Sequence, residues 1–384
     1  MSTETEQPDQ IGIEDIDWDQ IDAGTERIEK ESIIKYGSIV LYLLFWLWAW
    51  QIKHPRAALI DREIPLGVTE ITIELHPSNV DYLMGLTLLG MFWWVVVPLA
   101  KNPRMTMNYW HEFKRNTAAV VSLIFLIFIL FVGLIGPVII GRPESDFAAM
   151  HQPPIGFGGT WEYPLGTNSR GEGILEIVIS GMRVSMQVGL IATAIIIVLA
   201  AVVGTTAAYS GGWIDEVLMR FVDLLMTFPT FFLILFLVFI YGGDLFLLIV
   251  ILGITGWGGV CRLVRSEALQ RTEEEFIEAA LASGASRWYI VRRHLIPNVS
   301  NTVITAATLA IPFLILTEAV LAFLGFGDPD VWSWGRIIAR GRDHLRDAWW
   351  VATIPGLFLF ATVLAFNFLG DALRDAIDPR HEIR

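Results

Sequence analysis

The sequence predicts an all-α, polytopic membrane protein. Of its 384 residues, 54% are hydrophobic, and the mean hydropathy is +0.54, a value that soluble domains rarely reach. Several apolar runs exceed about 18 residues, the length at which an α-helix crosses roughly 30 Å of hydrocarbon. The chain starts with a polar, acidic segment. We therefore expect no cleavable signal peptide and a first apolar run that remains as a span.

Eight spanning helices are expected, and two of them precede a core of six. The apolar runs cover residues 33–50, 83–100, 117–141, 184–208, 221–241, 245–261, 303–323 and 349–370. Four regions follow: an acidic tail at 1–32, two extra spans with their loops at 33–116, the first core span with an external segment at 117–182, and the remaining core at 183–384, which includes a polar loop at about 262–300.

The distribution of basic residues predicts the orientation. The loop at 101–116 has four basic residues against Glu112, and the loop at 262–300 carries six arginines, so both are expected in the cytoplasm. The acidic segment 142–182 is expected outside. The loop at 51–82 weakly disagrees, because three basic residues would then lie outside. Eight spans would leave both termini in the cytoplasm of a plasma-membrane protein.

Acidic residues are concentrated in the N-terminal tail. Residues 1–32 hold eleven of them against Arg27 and Lys30, a balance of −9 out of the total net charge of −13. Lysine is scarce, at five against 22 arginines. Such a composition suits the high-salt cytoplasm of a halophilic prokaryote, where self-repulsion is screened. An ordinary disordered acidic tail is an equally good interpretation.

Several classes of site are not expected. The single cysteine, Cys261, allows no disulfide framework within the chain, and the seven histidines show no metal-binding spacing. No Gly-Lys dipeptide occurs, so the chain has no P-loop for ATP. We expect no metal site, no cofactor in this chain and no nucleic-acid partner.

The loop at 262–300 is predicted to form two short helices. Thr272 and Glu275 have capping-box spacing, which predicts a helix start near residue 273. Gly284 suits a left-handed stop, and a second helix should run from Arg287 to about Leu295, where Pro297 ends it. The first helix would place Phe276, Ile277 and Ala280 on an exposed apolar patch for a partner. The alternative is that this patch packs against the protein's own helix ends.

This loop resembles the EAA motif of ABC importer permeases. The matching residues are Glu278, Ala279, Ala280 and Gly284, followed by His294, Leu295, Ile296, Pro297 and Asn298. The ending is similar to the variant in C-type subunits of the dipeptide/oligopeptide permease family. Further blocks resemble the same family in order over about 117–380: Pro164–Gly171, Gly181–Ser185, Gly211–Glu216, Met219–Asp223, Phe228–Pro229, Glu318–Ala319, Phe323–Gly325, Trp332–Gly335, Asn367–Asp375 and Asp378–Arg380.

The resemblance implies a type I ABC importer (MetI-like) transmembrane domain of about six spans, to which this chain adds two N-terminal spans of unknown role. It implies a second, B-type permease subunit, two ABC ATPase subunits that bind ATP and Mg²⁺, and an extracytoplasmic solute-binding protein. The residues expected to couple to an ATPase are Glu278, Ala279, Ala280, Gly284, His294, Ile296 and Pro297. Glu278 would pair with Arg271, with Arg287 or with a basic group on the ATPase.

Residues within the spans give weaker signals. Pro229 and Pro312 predict kinks that could open a path, although proline is common in transmembrane helices. Glu318 lies within a span and would either line the path or bond a neighbouring helix. Asp223 is expected to anchor a helix end, and Arg183, at the start of the fourth span, to snorkel to the interface.

The sequence leaves two functions other than peptide import open. Relatives of this family carry nickel, opines or sugars, and the sequence does not name the cargo. An ion-coupled secondary transporter would need acidic residues in paired positions of two inverted halves, and only Glu318 and Asp223 qualify.

Overall fold

A computed structural model describes the backbone at residues 18–52, 60–66, 69–75, 77–141 and 143–377, and the side chains at 30–49, 77–141 and 143–377. Residues 1–17 of the acidic tail lie outside the described residues, as do Asp378–Arg380, whereas residues 18–32 of the tail form the first part of a helix. The described backbone is helical apart from loops and one hairpin. Its helices are α1 Trp18–Ile52, α2 Asn79–Met91, α3 Val97–Lys101, α4 Pro103–Phe113, α5 Thr117–Ile140, α6 Ile174–Ser210, α7 Gly212–Thr227, α8 Thr230–Tyr241, α9 Leu245–Gly256, α10 Gly258–Thr272, α11 Glu275–Ala282, α12 Arg287–Ile290, α13 Ile296–Asn298, α14 Ser300–Phe323, α15 Trp334–Gly341 and α16 Trp350–Ile377.

Six helical segments are long and apolar enough to cross a membrane. They are Lys30–Ala49 within α1, Asn79–Lys101 from α2 to α3, and the helices α5, α6, α14 and α16. Two bent helix pairs, α7–α8 and α9–α10, raise the count to eight if each pair is one span. The all-α membrane fold predicted from the sequence is thus confirmed.

The predicted spans 221–241 and 245–261 each belong to a bent helix pair, and the kink predicted at Pro229 lies at the first of the two bends. α7 and α8 meet at an angle of 81°, where Phe228 is extended and Pro229 caps α8. Proline lacks an N–H and disfavours the helical conformation in the residue before it, which explains this break. α9 and α10 meet at 41° around Trp257.

Helix α6 is the centre of the bundle. Its 37 residues make it about 55 Å long at 1.5 Å per residue. It packs against α5, α9, α10 and α14, and glycines bring the helices close together. A Cβ atom on Gly133 of α5 would lie 2.8 Å from the backbone nitrogen of Arg183, and one on Gly204 would lie 2.8 Å from the Cys261 carbonyl oxygen. Small residues at such crossings are how membrane helices gain close packing.

The two extra N-terminal spans contact each other and the core. The Tyr42 hydroxyl on α1 donates to the Tyr82 carbonyl on α2 at 2.8 Å. Asp81, in the first turn of α2, forms an ion pair with Arg183 and accepts a 2.7 Å hydrogen bond from Gln187. The expectation that Arg183 starts a span and snorkels was wrong. α6 begins nine residues earlier, at Ile174, and Asp81 supplies a charge partner for Arg183.

A short antiparallel hairpin occupies part of the loop between α1 and α2. Strand β1, Ile60–Leu66, pairs with β2, Thr69–Leu75, in a register that places Ile60 opposite Leu75. Sequence reasoning did not predict this hairpin, although Ile71 and Ile73 alternate with polar residues in β2.

Candidate functional site

The loop between α10 and α14 folds into two short helical arms joined by a tight turn. The first arm is α11, and the second runs from Arg287 to Asn298 through α12, one π-helical turn and α13. We call the whole segment, residues 275–298, the coupling segment. Each of its ends continues within two residues into a long helix, so a displacement of the segment would be transmitted to the bundle.

The first arm starts later than the capping-box spacing predicts. α10 continues through Thr272, whose hydroxyl donates to the Leu269 carbonyl at 2.7 Å instead of capping α11. Glu274 is the N-cap residue of α11 and makes no side-chain cap. The capping-box prediction was therefore wrong, because the upstream helix retains the threonine.

The turn between the arms is closed by a Schellman motif, as the position of Gly284 predicts. Gly284 has φ +82°, its N–H donates to Leu281 at 2.9 Å, and the N–H of Ala285 donates to Ala280 at 3.1 Å. No atom lies within 4 Å of a Cβ built on Gly284, so the space around the turn is open. Glycine is needed here for its backbone conformation and not for room.

The second arm is capped by Ser286, whose hydroxyl accepts from the Tyr289 N–H at 3.2 Å. Pro297 does not end this arm at Leu295 as expected. It lies within α13, and the residues before it widen into a π-helical turn, in which the Ile296 N–H donates to Val291. A proline removes one helical donor, and a local π-helical adjustment can accommodate this loss.

A small apolar core holds the two arms together. Ile277, Ile290, Val291 and Leu295 are buried against one another, and Tyr209 near the end of α6 packs on them. The expectation of an exposed patch was thus wrong for Ile277. This side chain packs within the protein, as the alternative prediction states. Phe276 and Ala280 are half-buried.

The open side of the turn forms a concave surface with a cavity of about 600 Å³. It is lined by Phe276, Ala279, Ala280, Ser283, Gly284, Ala285, Ser286, Tyr289 and His294. The His294 ring lies 6.0 Å from that of Phe276 and 5.7 Å from that of Tyr289. Small residues of the first arm and of the turn, together with aromatic rings from both arms, give a groove that can receive an apolar side chain or helix end.

The remaining predicted coupling residues lie around this groove. Glu278 is exposed and makes no ion pair with any described side chain. Arg271, one expected partner, is held by Glu267 at 2.9 Å and Glu274 at 2.7 Å instead. Ile296 is half-buried and packs on the apolar core of the segment, whereas Pro297 is exposed.

Arginines of α10, the helix that precedes the coupling segment, connect α10 to α7. Arg265 donates to Asp215 at 2.6 Å, and Arg262 donates to Asp223 at 2.5 Å. Sequence reasoning placed both arginines in a loop. The signal that could have found these pairs is the continuation of the helical pattern to Thr272, which aligns the arginines on one face.

The extra helix α1 also reaches the coupling segment. Arg292 in the π-helical turn donates to the Tyr36 hydroxyl at 2.5 Å, and its guanidinium lies 5.6 Å from the centre of that ring. On the same part of α1, Lys35 lies 3.7 Å from the centre of the Trp94 ring. Nothing in the sequence alone indicated this contact.

The residues predicted for a path or gate lie elsewhere in the bundle. Pro229 is at the break between α7 and α8, and Pro312 is buried inside α14. Glu318 is 3% exposed, and the side chain of Ser333, just before α15, lies near its carboxyl group. At 1.5 Å per residue, Glu318 is roughly 27 Å along α14 from the coupling segment.

Comparison with known proteins identifies the family. The model described as "binding-protein-dependent transport system inner membrane component" matches residues 196–383. The model described as "N-terminal TM domain of oligopeptide transport permease C" matches residues 106–154. Neither model covers α1, α2 or the hairpin.

Curated relatives match over most of their own length. The oligopeptide transport permease OppC of Haemophilus influenzae is 36% identical over 272 residues, which are 70% of this chain and 86% of OppC. OppC of Escherichia coli K12 is also 36% identical, over 89% of its length, and the dipeptide permease DppC of Bacillus subtilis is 32% identical, over 86% of its length.

Among solved structures, a chain of the inward-facing methionine ABC transporter MetNI matches 53% of this chain and 97% of its own length, at 20% identity and a TM-score of 0.44. The 36% identity to the OppC permeases, over 86% and 89% of their length, establishes the family. The chain belongs to the family of inner-membrane components of binding-protein-dependent transport systems.

Proposed function

We propose that this chain is one permease subunit of an ATP-driven importer of di- or oligopeptides in the plasma membrane. The curated relatives that support this substrate class are named for oligopeptide and dipeptide transport. A second, B-type permease would complete the path, two ABC ATPases would bind ATP and Mg²⁺ in the cytoplasm, and a solute-binding protein would deliver the peptide outside. Both termini would lie in the cytoplasm.

The coupling segment is the proposed contact with an ATPase. The observation that carries this proposal is its construction: two arms fixed by a buried core and a Schellman turn, with an open groove on the other side. Glu278, Ala279, Ala280, Gly284 and His294 would contact the ATPase directly. Ile296 and Pro297 would connect the segment to α14. Closure of the ATPase pair would then move α10 and α14 as stiff levers.

The test replaces Gly284 with aspartate and, separately, Glu278 with lysine. In Gly284→Asp, the introduced carboxylate would lie at the C-terminal end of α11, where the helix dipole disfavours it, and would enter the groove that the ATPase covers. We expect both variants to insert normally but to lose most ATP-driven peptide uptake in proteoliposomes, by about tenfold or more for the loss of about 2 kcal/mol across a docked contact.

Two matched controls make this test specific. Gly284→Asn introduces a side chain with nearly the shape of aspartate, tolerates the left-handed conformation and adds no charge, so it should retain most uptake. Glu273→Lys changes an exposed charge outside the groove and should also retain uptake. Normal uptake by Gly284→Asp and Glu278→Lys would exclude the proposed contact.

The alternatives of another small solute and of ion coupling are separated by the same preparation. An ABC importer is distinguished from an ion-coupled carrier by uptake that requires ATP hydrolysis and resists ionophores. Family membership gives no support to an ion-coupled carrier. Competition by peptides against labelled peptide uptake, with no competition by nickel, would support the peptide substrate.

A further inference from the structure

Three cations meet where the extra N-terminal spans reach the coupling segment. Lys35 lies near the start of the first spanning segment, and Lys101 is the last residue of the second. Arg292 belongs to the second arm of the coupling segment. The charges that act on the half-buried Lys35 ammonium are those of Arg292 and Lys101, and both repel it. We call these three residues the cation cluster.

The contacts of the described side chains bring one carboxylate to the cation cluster. Glu31 forms an ion pair with Lys101. Lys35 and Arg292 contact aromatic rings and form no ion pair with a described side chain. The Lys35 ammonium lies 3.7 Å from the centre of the Trp94 ring, and Arg292 donates to the Tyr36 hydroxyl at 2.5 Å. Three positive charges therefore share one negative charge, and an added anion would be attracted to them.

Two π-helical turns shape the cation cluster. Arg292 lies in the π-helical turn of the second arm, and Trp94 lies in a second one, Phe92–Val96. The Trp93 indole N–H donates to the Ser38 hydroxyl at 2.9 Å, which fastens α1 against this second turn. π-Helical turns are rare and are frequently found at functional sites. Two of them at one cluster favour a binding site.

The surface beside the cation cluster is apolar and exposed, although it belongs to spanning segments. Tyr36 is 44% exposed, Trp94 is 55% exposed, and Ile33, Ile34 and Leu99 are exposed beside them. Aromatic rings near the ends of spanning helices typically lie at the level of the lipid headgroups. Basic residues between such helices can bind an anionic headgroup, and the apolar surface beside them suits acyl chains.

We propose that Lys35, Lys101 and Arg292 bind the phosphate of an anionic phospholipid whose acyl chains lie along the exposed faces of the two extra spans. The bound headgroup links α1 to the second arm and restrains the coupling segment. This binding depends neither on the cargo nor on an ATPase, so it goes beyond the proposed function and can be tested separately from it.

The acidic tail of the chain is the rival occupant, because it leads directly into α1. Lipid is favoured by the position of Lys35 and Lys101 within spanning segments. Carboxylates that followed these cations towards the hydrocarbon would be costly to bury. An acidic peptide would also leave the apolar side chains beside the cluster uncovered.

The test measures lipid binding to the full chain, purified in detergent with the subunits that accompany it. Phosphatidylglycerol is the anionic probe and phosphatidylcholine is the zwitterionic one, and native mass spectrometry gives the Kd of each. The variants are Lys35→Gln and Arg292→Gln, alone and together, and Lys35→Arg, which keeps the charge. Lys114→Gln is the matched control, because Lys114 is an exposed lysine separated from Lys101 by α4, which is about 16 Å long.

We expect phosphatidylglycerol to bind about tenfold more tightly than phosphatidylcholine. Each glutamine variant should raise the Kd of phosphatidylglycerol about fivefold, which corresponds to about 1 kcal/mol for one basic residue. Lys35→Arg should stay within about twofold of the wild type. So should the control, because its distance exceeds the screening length of about 8 Å at physiological salt. Unchanged binding of phosphatidylcholine would show that the variants remain folded.

Hydrogen exchange measures the restraint of the coupling segment. In nanodiscs, phosphatidylglycerol should slow exchange in the second arm of the wild type several-fold relative to phosphatidylcholine. The double variant should show no such difference between the two lipids. Equal exchange of the wild-type arm in both lipids would contradict the proposed restraint.

Three outcomes would overturn the lipid site, and all of them leave the proposed function intact. Equal affinity of the wild type for the two lipids, or an unchanged Kd in the double variant, rejects the site. Displacement of the lipid by an equal concentration of inorganic phosphate indicates a site for a soluble anion. A preference for phosphatidylglycerol that develops only after removal of residues 2–17 assigns the cation cluster to the acidic tail.

Discussion

At the scale of single residues, ion pairs of different burial are expected to contribute unequally. The Arg265–Asp215 pair joins α10 to α7 with side chains that are 30% and 20% exposed. The Arg220–Glu216 pair on α7 is 77% and 68% exposed at 3.5 Å. Exposed pairs contribute little because water screens them, whereas breaking a partly buried pair leaves a charge without compensation. The first pair should therefore stabilise the contact of α10 with α7 far more than the second.

We predict that Asp215→Asn destabilises the purified permease by about 1–3 kcal/mol, as expected for an uncompensated, partly buried charge. Thermal unfolding in detergent would measure this as a lower Tm. Adding Arg265→Gln should restore part of the loss, which a double-mutant cycle detects. Glu216→Gln is the exposed control and should change the stability by less than about 0.5 kcal/mol. Equal effects of the two acidic substitutions would contradict this difference.

At the scale of elements, the extra N-terminal helices are fastened to the core by polar contacts rather than by a large apolar interface. Asp81 joins α2 to α6 through Arg183 and Gln187, and Tyr36 joins α1 to the coupling segment through Arg292. Few side chains of α1 and α2 are buried, so these contacts carry much of the attachment. Polar pairs between membrane helices are satisfied within the protein because lipid cannot satisfy them.

We predict that Asp81→Asn loosens α2 without unfolding the core. Removing the charge leaves Arg183 without its partner, so local opening of α2 should become easier. Hydrogen exchange measured by mass spectrometry should rise several-fold in α2 and stay constant in α5. Glu112→Gln, which breaks an exposed pair with Arg115, is the control and should leave α2 unchanged. A rise that extends equally over the whole chain would instead indicate global destabilisation.

Elements also show where sequence reasoning succeeds and where it fails. The lengths of the apolar runs located the spanning segments. An apolar helix is stable in lipid because of its composition, whichever helices it contacts. The Gly284 turn was predicted because its left-handed backbone is a local requirement. The side to which Ile277 faces and the partner of Arg183 depended on distant segments, namely Leu295 and Asp81. Local patterns carry no information about such contacts.

At the scale of the whole molecule, two concave sites lie at opposite ends of one long helix. The coupling segment packs on Tyr209 near the end of α6, and a second cavity, whose lining includes Asn168 and Arg340, lies beside the start of α6. The proposed contact between the coupling segment and an ATPase can be measured without a transport assay.

Cross-linking at residue 279 measures that contact. The one native cysteine, Cys261, is buried and can be replaced by alanine, after which a cysteine introduced in place of Ala279 would be the sole thiol of the chain. A cysteine in place of Arg346 on the opposite end serves as the control. In membranes that contain the complete importer, we predict that a short thiol–amine cross-linker joins residue 279, but not residue 346, to an ATPase subunit, with a yield that changes when ATP is added. Absence of an ATPase adduct at residue 279, or an equal adduct at residue 346, would contradict the account.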